Sequence, residues 1–214
     1  MKRFLALMLS LVTVFSLAAC GGVGGGKSRE LTVQHSGKVR VDIGYTTPGY
    51  SGPGAATAVG LSLLQHQLQT EDDALVSPLS VLYALGMTMN GAAGNTLEQM
   101  ETALYGNMAD WNTFLYYLLE TTEEHQGELH LANAIWLRDE ENRLAVNEEF
   151  LQNITDFYHA PAYAAPFDAS TVRDINNFVN KHTDGMVEDI LDEISPLAAI
   201  YLVNALGFEA EWHE

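Results

Sequence analysis

The stretch Leu75-Val-Ser-Pro-Leu-Ser-Val-Leu-Tyr-Ala-Leu-Gly-Met-Thr-Met-Asn90, continuing as Gly91-Ala-Ala-Gly-Asn-Thr-Leu-Glu98, decides how the rest of the chain is arranged. Ser77 brings the hydroxyl of a helix N-cap. Pro78 takes the first helical position, where its missing N–H is no loss and its fixed φ suits the turn. Leu79, Val81, Leu82, Tyr83, Ala84, Leu85, Met87 and Met89 then leave almost no polar face. A helix apolar all round is buried. It falls short of the roughly 20 apolar residues that cross a bilayer. The spacing therefore predicts a central core helix around which other elements are wrapped.

The neighbouring elements follow from periodicity and punctuation. Ala55 to Gln69 carries a helical stripe of Ala58, Leu61, Leu64 and Leu68. Ala74 to Val76 reads as a short strand entering the buried helix. Asn95 with Glu98 forms a capping box for a helix with Leu97, Met100 and Leu104 inside, ended by Gly106. Asp110 caps another, with Trp111, Phe114, Leu115 and Leu118 inside. Glu128 to Arg138 is apolar on both alternating faces, the pattern of a strand covered on two sides. Asn147 caps a helix with Phe150, Ile154 and Phe157 on its inner face. Ala160 to Phe167 reads as an edge-like strand bounded by proline. Ser170 to Thr183 is a helix with Val172, Ile175, Phe178 and Val179 inside, closed by Gly185. Leu197 to Phe208 is a nearly unbroken apolar run, read as a central strand buried on both faces.

Ahead of this folded region lies a leader. Lys2 and Arg3 precede an apolar run from Phe4 to Phe15, and Leu17-Ala-Ala-Cys20 follows. Residues 1–19 read as a signal peptide. The single cysteine stands where a bacterial lipoprotein box places it, so the expected chemistry is cleavage before Cys20 and its lipidation. An ordinary secretory signal with an incidental cysteine is the other reading. Several acyl chains on one residue anchor stably, whereas one does not. Residues 20–54 form a glycine-rich tether and leader, with alternating apolar residues at Leu31, Val33, Val39, Val41 and Ile43 that suggest a hairpin. Fully extended, this leader reaches about 110 Å, either as a spacer or as an unstructured lead-in.

Charge excludes several partners. The chain has 28 acidic and 10 basic residues, and loss of Lys2 and Arg3 with the signal leaves 28 against 8. Such a surface repels nucleic-acid phosphates and anionic lipid, and favours solubility. No Gly-x-Ser-x-Gly elbow or phosphate loop is present, and the seven histidines show no HExxH or His-x-His spacing. Glu123-Glu124 and Asp139-Glu140-Glu141 read as solvated turns. Asn153-Ile-Thr155 fits a glycosylation pattern but falls on a predicted helix. No cofactor, metal or enzymatic activity is expected.

Four blocks in order resemble the N-terminal half of a serpin, a protease-inhibitor fold. They are Val76-Ser-Pro-Leu-Ser-Val81 with Met87-Thr-Met-Asn-Gly-Ala-Ala-Gly-Asn-Thr96, Leu131-Ala-Asn-Ala-Ile-Trp-Leu137, Ile175-Asn-Asn-Phe-Val-Asn-Lys-His-Thr-Asp-Gly185, and Leu202-Val-Asn-Ala-Leu-Gly-Phe-Glu-Ala-Glu-Trp212. They span residues 55–214, read as the N-terminal part of one serpin domain. Gly207 departs from the family, which usually has an aromatic residue there. The resemblance implies an α+β fold with helices packed around a large central sheet, sheet A. It also implies suicide inhibition of serine, and sometimes cysteine, proteases: the enzyme cleaves an exposed reactive loop, becomes acylated, and is carried along as the loop inserts into the sheet. Such a fold is bistable.

By the same resemblance, Ser77, Ser80 and Asn204 match the polar cluster that controls strand opening, and Trp212 matches the tryptophan where insertion begins. The helix over Ser170–Thr183 matches the one that must yield. Plain capping and packing is the alternative for each. The sequence ends at Glu214, ahead of the family's reactive loop and C-terminal strands, so a fragment of a longer protein is expected, unable by itself to inhibit in this way. The expected partners are a target protease for the full-length protein, otherwise a monomer, and a membrane through Cys20, with an extracytoplasmic location. A non-inhibitory serpin-like surface lipoprotein with a binding or structural role is the alternative function.

Overall fold

A computed structural model describes residues 28–37, 39, 52–69, 73–124, 129–139, 144–195 and 197–208. In chain order the elements are β1 (Arg29–Glu30), α1 (Gly52–Gln67), α2 (Pro78–Met89), α3 (Gly94–Ala103), α4 (Met108–Glu124), β2 (Leu129–Arg138), α5 (Glu148–Tyr158), β3 (Ala162–Ala165), α6 (Ala169–His182) and β4 (Ile200–Phe208). The strands form one mixed sheet in the order β1-β3-β2-β4. β2 runs parallel to β3, joined to it by α5, and antiparallel to β4.

The alternation of β2 separates two cores. Ile135 and Leu137, with the partly buried Leu131, face a helical layer made by Leu82, Tyr83, Met87 and Met89 of α2, Trp111 and Leu115 of α4, and Leu151, Ile154 and Tyr158 of α5. Ala132, Ala134 and Trp136, with Val203 and Ala205 of β4, face Ile175 and Val179 of α6. The helix that the sequence places at the centre is there. Tyr83, Met87 and Met89 of α2 are fully buried, and the helix packs against α1, α4, α5 and β4. The small residues at 132 and 134 let α6 approach the sheet closely, while Trp136 fills the remaining space.

Several expectations are corrected. α1 buries Ala55 and Val59, whereas Leu61 and Leu68 of the expected stripe are 54% and 52% exposed. Its contact with α2 is a close one between small groups: a Cβ on Gly60 would lie 2.9 Å from the Pro78 ring. Ala74 to Val76 forms no strand, and Leu75 is 99% exposed. The helix expected from Asn95 begins at Gly94, with Ala93 at the N-cap and no side-chain cap, so Asn95 falls inside it. It ends before Gly106. Tyr105 takes the left-handed conformation (φ 56°) and Gly106 N–H closes back on Glu101 O at 3.1 Å. The cap of α4 is Asn107, whose side chain accepts from Asp110 N–H at 2.9 Å, so Asp110 sits one turn in.

The strand ends of the sheet also differ from expectation. β3 is not an edge, because β1 covers it. Among the described residues β4 is outermost; Val203 and Ala205 are buried on one face, while the other is covered only in part by α2, with Ile200 and Leu202 53% and 36% exposed. An apolar run cannot by itself reveal whether a second layer reaches both of its faces. The proposed hairpin over residues 31–43 is not formed by its described part, since residues 31–36 follow β1 without a strand. The rest of it lies outside the described residues. Gly207 has a local reason. A Cβ there would lie 2.3 Å from Met186 Cε, so Met186 takes up the space beside the strand.

Candidate functional site

The residues matched to the strand-opening cluster fall in two places, Ser77 and Ser80 at the start of α2, where Ser77 is exposed, and Asn204 at the β2–β4 seam. Ser77 caps α2 as expected, its hydroxyl accepting from Ser80 N–H at 3.3 Å and meeting Ser80 Oγ at 2.9 Å. Asn204 stands directly opposite Asn133 in the antiparallel register. Its amide donates to Asn133 Oδ1 at 2.7 Å, and Asn133 donates to the Tyr158 carbonyl at 3.1 Å. No hydrogen bond among those of the described residues joins the serine pair to the asparagine pair. Asn204 Oδ1 is buried and accepts no hydrogen bond from the described residues. Cys20 and Trp212 lie outside the described residues.

The seam continues into the helical layer through residues that sequence reading did not single out. The Tyr158 hydroxyl donates to Asn112 Oδ1 at 2.5 Å. Asn112 and Asn90 exchange amide bonds at 2.8 and 3.0 Å, and Asn90 also donates to Gly86 O at 2.9 Å. Thus β4, β2, α5, α4 and the C-terminal end of α2 are linked by one run of polar groups through an apolar interior. Burial pushes the Tyr158 hydroxyl pKa well above the ordinary tyrosine range, the hydrogen bond with Asn90 opposing it only in part. The group therefore stays neutral and keeps its donor. Buried polar groups of this kind are costly unless paired, and where paired they fix one arrangement of the elements around them. A signal was available: Asn133 is the one polar residue on a face otherwise formed by Leu131, Ile135 and Leu137.

On the opposite face, Trp136 stacks on Tyr163 at 4.9 Å between ring centroids and meets the edge of Phe178 of α6 at 5.4 Å. Arg138 holds the chain entering β4, donating to Ala198 O at 2.7 Å and Ser195 O at 3.0 Å, with its guanidinium 4.8 Å from the Phe167 ring. Among the described residues no group of three histidine, cysteine or carboxylate side chains could hold a metal.

A buried capping helix under a mixed sheet, a second helix laid across the opposite face, and an amide-paired seam reaching the outermost described strand together define an α+β protein. Comparison with known proteins gives this class a family. Residues 54–214 match the family described as Serpin (serine protease inhibitor), and the chain belongs to it. An uncharacterised serpin-like protein of Thermococcus kodakarensis is 33% identical over 144 residues, 64% of this chain and 33% of that protein. Alpha-1-antitrypsin of Meriones unguiculatus is 30% identical over 159 residues, 71% of this chain and 39% of it. The native-state crystal structure of the thermophilic serpin tengpin superposes with a TM-score of 0.66 at 33% identity, covering 86% of this chain and 47% of that one. The chain thus spans between a third and two fifths of the curated relatives it matches, and about half of solved serpin chains.

Proposed function

We propose that these residues are the N-terminal part of a serpin-type inhibitor that traps serine proteases, and in some cases cysteine proteases, by inserting a reactive loop into the sheet. The observation that carries this reading is the family match over residues 54–214. The Asn204–Asn133 side-chain bond across the β2–β4 seam fits it. Here Ser77, Ser80, Asn204 and Trp212 serve strand opening. The protein that carries these residues works as a monomer in this reading. No catalytic step is assigned to it, because it acts on a protease as a substrate that is not released.

The reading frame beyond codon 214 supplies the first test. Small residues at the hinge of a following loop support the inhibitor. Bulky or proline-rich residues there overturn it in favour of a non-inhibitory surface protein. We also infer that Cys20 is lipidated and holds the protein outside the cytoplasm at a membrane. Wild-type protein made in a bacterial host should partition into a detergent phase and take up labelled palmitate, and Cys20→Ser should do neither. Equal behaviour of the two would overturn the anchor.

A further inference from the structure

Residues 28–37 precede the family match, which starts at residue 54, yet two of them, Arg29 and Glu30, lie in register on the outer edge of β3. Arg29 pairs with Ala164 and Glu30 with Tyr163. Leu31 N–H donates to Ala162 O at 2.8 Å, and Ala162 N–H donates to Thr32 Oγ1 at 3.1 Å. Leu31 and Val33 add to the larger core.

Three carboxylates from three different parts of the body fasten this segment. Ser28 donates to Asp174 of α6 through its hydroxyl and, at 3.2 Å, its N–H. Arg29 pairs with Asp139, just past β2, at 2.8 Å. Ser36 donates to Asp156 of α5 from its N–H at 2.7 Å and its hydroxyl at 2.5 Å. Gln152 of α5 adds a bond to Gln34 O at 3.2 Å. The side chains of Asp139 and Asp156 are only 4% and 8% exposed. A buried carboxylate needs donors or a cation. Burial alone would raise the Asp156 pKa, but the bonds from Ser36 and Gln152 and the nearby His35 outweigh it and hold the carboxyl below its ordinary value. The body thus carries buried acidic groups that take part of their donors from a segment more than a hundred residues away in sequence, while Leu144 N–H at 2.9 Å serves Asp139 and Gln152 serves Asp156 locally.

We propose that the outer edge of β3, with Asp139, Asp156 and Asp174, is a strand-acceptor site for an extended segment with a serine near each end and an arginine after the first, and that residues 28–37 fill it in cis. The site closes an edge that would otherwise pair with other chains. It also ties α5 to α6 across the sheet. Only residues 21–27 then separate Cys20 from a docked segment, a span of about 25 Å, so the leader holds the body near its anchor point and is not a long spacer. The proposal is independent of whether the protein inhibits a protease.

The test compares the full chain with its Ser28→Ala/Arg29→Ala/Ser36→Ala variant, all three changes being on the leader and outside both cores. In the wild type the Leu31 amide should resist hydrogen exchange, and in the variant it should exchange at least about tenfold faster, since hydrogen bonds to charged groups are the strong ones. A labelled peptide with the sequence of residues 28–37 should bind the variant at least about tenfold more tightly than the wild type, whose site is already filled. The peptide carrying the same three alanines should not bind. An unprotected Leu31 in the wild type, unchanged protection in the variant, or a released segment with no peptide binding would each overturn the proposal. Protection that rises with protein concentration would place a second copy's segment on the edge and overturn the cis assignment.

Discussion

Replacing Trp136 by alanine is expected to cost about 3–5 kcal/mol of folding stability, the range for deleting a buried aromatic side chain. Trp136 is 1% exposed and is the largest fully buried side chain described. It touches the two elements that hold α6 to the sheet, stacking on Tyr163 and meeting Phe178 edge-on. Its cross-strand partners on that face are Tyr163 and Tyr201, and the next residue along its own strand on that face is Ala134, which cannot swell into the space it leaves. Trp136→Phe should cost far less. It keeps a ring against Tyr163 and Phe178, and beyond the smaller ring volume it deletes an indole N–H that has no hydrogen-bond partner among the described residues. Urea unfolding of the full chain reads both. A loss below about 1 kcal/mol for Trp136→Ala would mean that α6 does not depend on this contact.

The second large effect concerns the polar run beneath the sheet. A Cβ on Gly86 would lie 2.6 Å from the Tyr158 hydroxyl and 2.9 Å from Leu115 Cδ1. Gly86→Ala should therefore cost about 1–3 kcal/mol by overpacking, with an added loss as the hydroxyl is pushed off Asn112. Tyr158→Phe alone should cost about 1–2 kcal/mol, because Asn112 Oδ1 loses one of its two donors in a buried site. The double variant should be less destabilised than the sum by about 1 kcal/mol, since removing the hydroxyl removes the nearest clash. Strict additivity would show that the Gly86–Tyr158 approach is not what keeps residue 86 a glycine.

What the sequence made legible is local. The start of α2 was readable because Ser77-Pro78 solves the helix-end problem within two residues. β2 was readable because its two faces are both apolar over ten positions. The caps of α3 and α4 were misplaced by two and three residues. There several cap-competent side chains compete, and the winner is set by a turn: Gly94 at φ 54° in one case, and the Asn107–Asp110 bond in the other. The partly covered face of β4 and the docked leader were not legible, because both depend on residues distant in sequence. Leu31 and Val33 are two apolar residues in a polar stretch, and the groups that hold their neighbours, Asp156 and Asp174, read as ordinary helix surface. At the seam, Asn204 was found only through the family resemblance. Its partner Asn133 and the run onward through Tyr158, Asn112 and Asn90 needed the strand register and the helix packing together.

The chain belongs to the serpin family, and the function proposed for the protein that carries it is inhibition by inserting a loop beside β4. The most direct measurement uses the protein encoded by the whole reading frame that contains these residues. It is incubated with trypsin-like, elastase-like and subtilisin-like proteases and run on a denaturing gel. A band at the summed mass that survives SDS, matched by stoichiometric and undiluted loss of protease activity, is the predicted result. Cleavage of the protein by every protease, with full enzyme turnover and no such band, would contradict it.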